Sequence, residues 1–150
     1  MLCDWCVKNK TRLVMNIIFT DIDGVFNTTT DSRWNKKSID YYNLLCDEFD
    51  LKPVITSQWR VNRTISDLQK IFNEQGISTP IYDFTPILPG EVRGSEIEYW
   101  LFNNSFNKFI IIDDNVRDIE QLGLPNVVKC RGWIGFGKEE YELSRQILLK

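Results

Sequence analysis

Histidine is missing altogether from the 150 residues, and with it go histidine-based triads, phosphohistidine chemistry and imidazole metal ligands. Any catalysis must therefore run on carboxylates, hydroxyls, amines or thiols. Long apolar runs are missing too: none approaches the roughly 18 to 20 residues of a membrane span, and the N-terminus lacks the apolar core of a signal peptide. The chain reads as soluble and cytoplasmic, with no membrane partner. Positive charge is not in excess. The net charge of -3 gives no broad basic face of the kind that wraps duplex nucleic acid, although a small site gripping one phosphorylated end stays open.

Cysteine is sparse, at four residues. Cys46 and Cys130 fall in segments patterned as a helix and a buried strand and read as reduced core thiols. Cys3 and Cys6 form a Cys-x-x-Cys pair, but with no second pair and no histidine the four ligands of a structural zinc site are not assembled.

What is present is a 43% hydrophobic content, enough for one substantial core and hence one domain. Met15 immediately precedes the first apolar run, so residues 1–14 are expected to be an N-terminal extension, disordered and without a part in function, and residues 15–150 the folded domain. Short continuous apolar runs at Asn16–Thr20, Lys52–Thr56, Ile81–Phe84, Phe109–Ile112 and Val127–Cys130 predict five strands. Between them, helical spacing marks Ile39–Phe49, Ile65–Gln75 stopped by Gly76, Glu96–Phe102 opened by Ser95, Val116–Leu122 stopped by Gly123, and Glu139–Leu149. Strand alternating with helix predicts an α/β fold: a five-stranded parallel sheet with helices on both faces, binding ligands beyond the carboxyl ends of its strands.

Polar residues collect at those ends. The first strand finishes in Asp21 and Asp23, the second in Thr56 and Ser57, the fourth in Asp113 and Asp114. Gly24 permits a tight turn that brings backbone amides toward a ligand. Three or four carboxylates at one sheet edge repel one another unless a divalent cation neutralises them, and oxygen-only ligands suit magnesium. Capping and turn roles are the commoner use of aspartate in loops; they account for Asp118 but not for a convergent set.

The segment Ile17–Asn27, IIFTDIDGVFN, resembles the first motif of the haloacid dehalogenase (HAD) superfamily. Its later motifs have counterparts in order: Thr56-Ser57 in VITSQWR, Arg93 in RGSEIEYWL, and the acidic pair in IIIDDN. The wording around the second and third is similar to the HAD domain of Swiss Army Knife RNA repair proteins. The resemblance implies a three-layer Rossmann-like fold with little or no cap, and a phosphatase that forms an aspartyl-phosphate on Asp21. It implies Asp23 as general acid and base, and Thr56 or Ser57 as the hydroxyl on a phosphoryl oxygen. Arg93, just ahead of its helix, is implied as the cation facing the transition state, although an ordinary surface arginine is the competing reading. Mg2+ is implied on the Asp21 side chain, the Asp23 carbonyl and Asp114, with Asp113 beside it.

Around the mouth, Arg33, Trp34, Lys36, Lys37, Trp59, Arg60 and Arg63 are expected to mix cations with aromatics that hold a phosphate backbone and stack a base. For the loop cations a solvated charged surface is the competing reading, and for Trp59 a place in the core. The expected partner is a phosphorylated substrate, an RNA or DNA end or a nucleotide. A catalytically silent binding or regulatory module and a phosphotransferase to another acceptor remain as alternatives, the second sharing every residue named.

Overall fold

A computed structural model describes residues 15–150; the expectations for residues 1–14 and for the Cys3–Cys6 pair lie outside the described residues. The strands are β1 (Asn16–Thr20), β2 (Leu51–Ile55), β3 (Asp83–Phe84), β4 (Lys108–Asp113) and β5 (Val127–Lys129). They form one parallel sheet in the order β3-β2-β1-β4-β5. From the central β1 the chain first builds outward through β2 and β3, then crosses back to add β4 and β5. The strand order reverses between β1 and β4, where the crevice of an open parallel sheet lies.

Alternation along the strands feeds two cores. Ile17, Phe19, Val54 and Ile111 point to one face and pack with Ile97 and Trp100 of α3 (Arg93–Asn103) and Ile119 of α4 (Arg117–Gln121). Ile18, Ile55, Ile110 and Ile112 point to the other. There they meet Ile39, Tyr42 and Leu45 of α1 (Lys36–Phe49), Leu68 and Phe72 of α2 (Ile65–Gln75) and Leu148 of α5 (Lys138–Leu148). Each such aliphatic or aromatic side chain contributes about 1.5–3 kcal/mol by leaving water. Tyr42 keeps its hydroxyl satisfied through a 2.8 Å hydrogen bond with Thr20 Oγ1.

Helix ends follow local chemistry where a side chain supplies the cap. Thr64 and Asp67 form a capping box at the start of α2, and Gly76 closes that helix at φ 87°. Asn35 caps α1 by accepting from the amides of Lys37 and Ser38, so this helix begins three residues before Ile39. Only a short flap separates β1 from α1, closed by an antiparallel bridge between Asn27 and Trp34 and by Asn35 N donating to Phe26 O at 2.6 Å. From Gln58 to Val92 the chain is occupied by a 3-10 turn (Gln58–Arg60), α2 and β3, which leaves no inserted cap at either position. Cys46 and Cys130 are free and buried. No described helix is long and apolar enough to cross a membrane.

Candidate active site

The crevice between β1 and β4 is where the acidic residues meet. Asp21 directly follows β1 and still donates its amide to Ile112 O at 3.1 Å, so the nucleophile candidate stands on paired backbone. Its side chain is buried, as is that of Asp113, while Asp114 is partly exposed. One carboxylate oxygen from each of Asp21, Asp113 and Asp114 lies within 4.8 Å of the others. Gly24 makes this approach possible: it sits at φ +79°, and a Cβ on it would lie 2.4 Å from Asp114 Oδ2. Its amide donates to Asn27 Oδ1 at 2.9 Å. Gly24 therefore contributes room for Asp114, and its own amide is taken up by Asn27.

Arg93 is the first residue of α3 rather than a residue ahead of a helix opened by Ser95. Val92 in the cap position offers no side-chain hydrogen bond; the cap comes from α4, where Asp118 Oδ2 accepts from Gly94 N at 2.9 Å. This start aims Arg93 into the crevice, where Nη1 lies 2.6 Å from Asp113 Oδ2 and 3.3 Å from Asp21 Oδ2. It is no free surface arginine. Burial, reinforced by the charge of Asp113, pushes the Asp21 carboxyl up to about 8 against the pull of Arg93. Burial raises Asp113 as well, again opposed by Arg93. One guanidinium thus faces three clustered carboxylates, and the surplus negative charge on an all-oxygen donor set fits a hard divalent cation.

The end of β2 supplies the hydroxyls. Thr56 is buried, its amide bound to Thr20 O at 3.0 Å. Ser57 Oγ accepts from Trp59 N at 3.2 Å, which caps the 3-10 turn, and Ser57 lines a 260 Å³ cleft with Asp21, Asp23, Gln58, Arg93, Asp114 and Asn115. Thr56 does not line it. Asp23 stands at the rim with both oxygens engaged: Oδ1 accepts from Asn27 Nδ2 at 2.9 Å and Oδ2 from Trp59 Nε1 at 3.1 Å. Trp59 serves both readings made of it. Its ring packs edge-on against Trp34 at 5.5 Å beside the core, while its N–H reaches the site.

Arg60 is not at the mouth. It is buried, and each of its five N–H groups has an acceptor: Nε donates to Thr85 O, Nη1 to Thr56 O and Ser57 O, and Nη2 to Pro86 O and Glu96 Oε2. A guanidinium so completely satisfied has nothing left for a substrate; it ties the Thr56-Ser57 loop to α3 instead. Two other cations expected at the mouth are neutralised locally, Arg33 by Asp31 and Lys36 by Asp40. Lys37 and Arg63 are exposed, with Arg63 over the Trp59 ring at 5.4 Å. Sequence reasoning missed Asn27, Gln58 and Asn115. Asn27 closes the IIFTDIDGVFN run four residues after Asp23, and a polar side chain in that buried turn was the available signal.

No match was found among curated proteins. A family model described as the HAD domain in Swiss Army Knife RNA repair proteins matches residues 17–141, a span that runs from β1 into α5 and contains every residue of the cleft. With the parallel sheet, the acidic crevice at its switch point and this match agreeing, the chain belongs to the HAD domain family of the Swiss Army Knife RNA repair proteins.

Proposed function

We propose that the protein is a magnesium-dependent phosphomonoester hydrolase acting through an aspartyl-phosphate on Asp21, with a nucleotide or a nucleic-acid end phosphate as substrate. The observation that carries this reading is the crevice in which Asp21, Asp113 and Asp114 converge within 4.8 Å against the single cation Arg93. The Asp21 side chain, the Asp23 carbonyl and Asp114 would hold the metal, with Asp113 beside them. Bound magnesium supplies the positive charge that lets an anionic nucleophile approach an anionic phosphate.

In the first step an Asp21 carboxylate oxygen bonds to phosphorus as the bond to the leaving oxygen breaks, and Asp23 in its acid form gives that oxygen its proton. In the second step Asp23, now a carboxylate, takes a proton from water. The water oxygen attacks phosphorus, inorganic phosphate leaves and the Asp21 carboxylate returns. Asn27 and Trp59 hold the two Asp23 oxygens at the rim between these roles. Ser57 donates its hydroxyl proton to a phosphoryl oxygen; its position in the cleft favours it over Thr56. Arg93 balances charge as it develops on the phosphoryl group.

The open cleft admits the end of a polymer, and the RNA repair setting of the family supports a nucleic-acid or nucleotide substrate. The test is phosphate release with and without magnesium, for wild type and Asp21→Asn. Substrates are p-nitrophenyl phosphate, nucleoside monophosphates and oligonucleotides with 5′ or 3′ phosphates. Magnesium-dependent release lost in the variant is the expected result; release that survives Asp21→Asn overturns the mechanism.

A further inference from the structure

Beyond Asp114 the catalytic cleft continues into a second groove of 390 Å³ along the ends of β4 and β5, lined by Asp114, Asn115, Val116, Arg117, Glu120, Gln121 and Lys129. It shares Asp114 and Asn115 with the cleft. Arg117 and Lys129 are exposed, and among the described residues neither enters a salt bridge or a side-chain hydrogen bond. This contrasts with Arg33 and Lys36 across the site, each held by an acid of its own segment. Glu120 is the groove's one carboxylate apart from Asp114.

The chain leaving β5 then makes a turn that also adjoins Asp114. Ile134 N and Gly135 N both donate to Arg131 O at 2.8 Å, and Arg131 is held by Glu139 and Glu140. Thr29 N donates to Gly132 O at 2.8 Å, and a Cβ on Gly132 would lie 3.2 Å from Asp114 Oδ2. Phe136 anchors the far side in the core. At the tip of this fixed turn stands Trp133, 64% exposed and without an aromatic neighbour among the described residues. A large ring left in water on a segment pinned at both ends gains nothing from internal packing.

Cations without an ion-pair partner beside a phosphate cleft, together with an aromatic ring free of aromatic neighbours on a hydrogen-bonded turn, are the two components of a single-strand track, one for the backbone and one for the bases. We infer that single-stranded nucleic acid runs out of the cleft across this ground. Arg117 and Lys129 take the phosphodiester next to the terminal phosphate, and Trp133 stacks a base. The inference rests on the proposed function for the terminal phosphate, and names a strand rather than a free nucleotide as the substrate.

The test uses full-length Asp21→Asn protein with magnesium, a fluorescein-labelled, terminally phosphorylated decanucleotide in RNA and DNA forms, and anisotropy at several salt concentrations. Adding Trp133→Ala is expected to weaken binding roughly ten- to a hundred-fold, with Trp133→Phe retaining most of it. Arg117→Gln and Lys129→Gln are each expected to lower the steepness of log Kd against log salt by about 0.7. Binding of the decanucleotide unchanged by all three substitutions, or no binding by the parent at low salt, overturns the track. p-Nitrophenyl phosphate needs only the cleft, so its turnover by wild type tests the hydrolase reading separately.

Discussion

Two arginines, Arg60 and Arg93, are withdrawn from water within one small region, and they are treated in opposite ways. Arg60 has an acceptor for each N–H and one carboxylate, Glu96, at 2.9 Å. Glu96 in turn accepts from Leu88 N at 3.0 Å. That cluster is balanced and closed. Arg93 points one nitrogen at two buried carboxylates, with Asp114 a third beside them. That cluster is short of positive charge and opens on a cleft. A protein gains nothing in stability from the second arrangement, because buried charge without compensation is costly; under the proposed function, what it would gain is a place for a cation and an anionic substrate.

The contrast can be broken or sharpened experimentally. The largest expected effect is Asp21→Asn, which should lower kcat for phosphate release about 10⁴-fold. The chain should stay folded on thermal melting, since Asn matches in shape the neutral carboxyl toward which burial already drives Asp21. A melting temperature well below wild type would mean that the crevice is structural after all. Next, Arg60→Met leaves Glu96 buried without its partner and should cost about 3–5 kcal/mol of unfolding free energy by denaturant titration. Combining it with Glu96→Leu should recover most of the loss.

Arg93→Met should reverse that pattern, reducing kcat/KM about 10²- to 10³-fold with much less loss of stability, because Asp21 and Asp113 already lean toward their neutral forms. If Arg93→Met unfolds the chain as readily as Arg60→Met, the distinction between the two clusters fails. The smallest effect is on stability alone. Magnesium at a hundred times its Kd should add about 2.7 kcal/mol to the unfolding free energy of the chelator-treated protein, and Asp114→Asn should diminish the gain. A calorimetric scan that does not move with magnesium would argue against a metal in the crevice.

Much of the fold was legible because its signals are local. The apolar runs placed β1 without error, and Gly76 stopped α2 where expected. The Asp pairs at the ends of the first and fourth strands marked the crevice, since parallel strands deliver their carboxyl ends to one edge. The errors came from contacts distant in sequence. α3 starts at Arg93 because its cap is Asp118, 24 residues away, and no inspection of RGSEIEYWL reveals that. Arg60 looked like a rim cation because three of its acceptors, on Thr85, Pro86 and Glu96, come together only in the folded chain. Gly24 was read for its turn, and its second use, the space for Asp114, depends on β4 lying beside β1.

The strand order also sets a timetable for synthesis. Asp21, Asp23 and Ser57 all emerge from the ribosome ahead of α2, while Arg93, Asp113 and Asp114 follow only as α3 and β4 appear. Until β4 pairs along the open side of β1, half of the crevice wall does not exist. Under the proposed function the growing chain would therefore be inert toward phosphate until this strand docks and brings Asp113 and Asp114 up to Asp21 and Arg93.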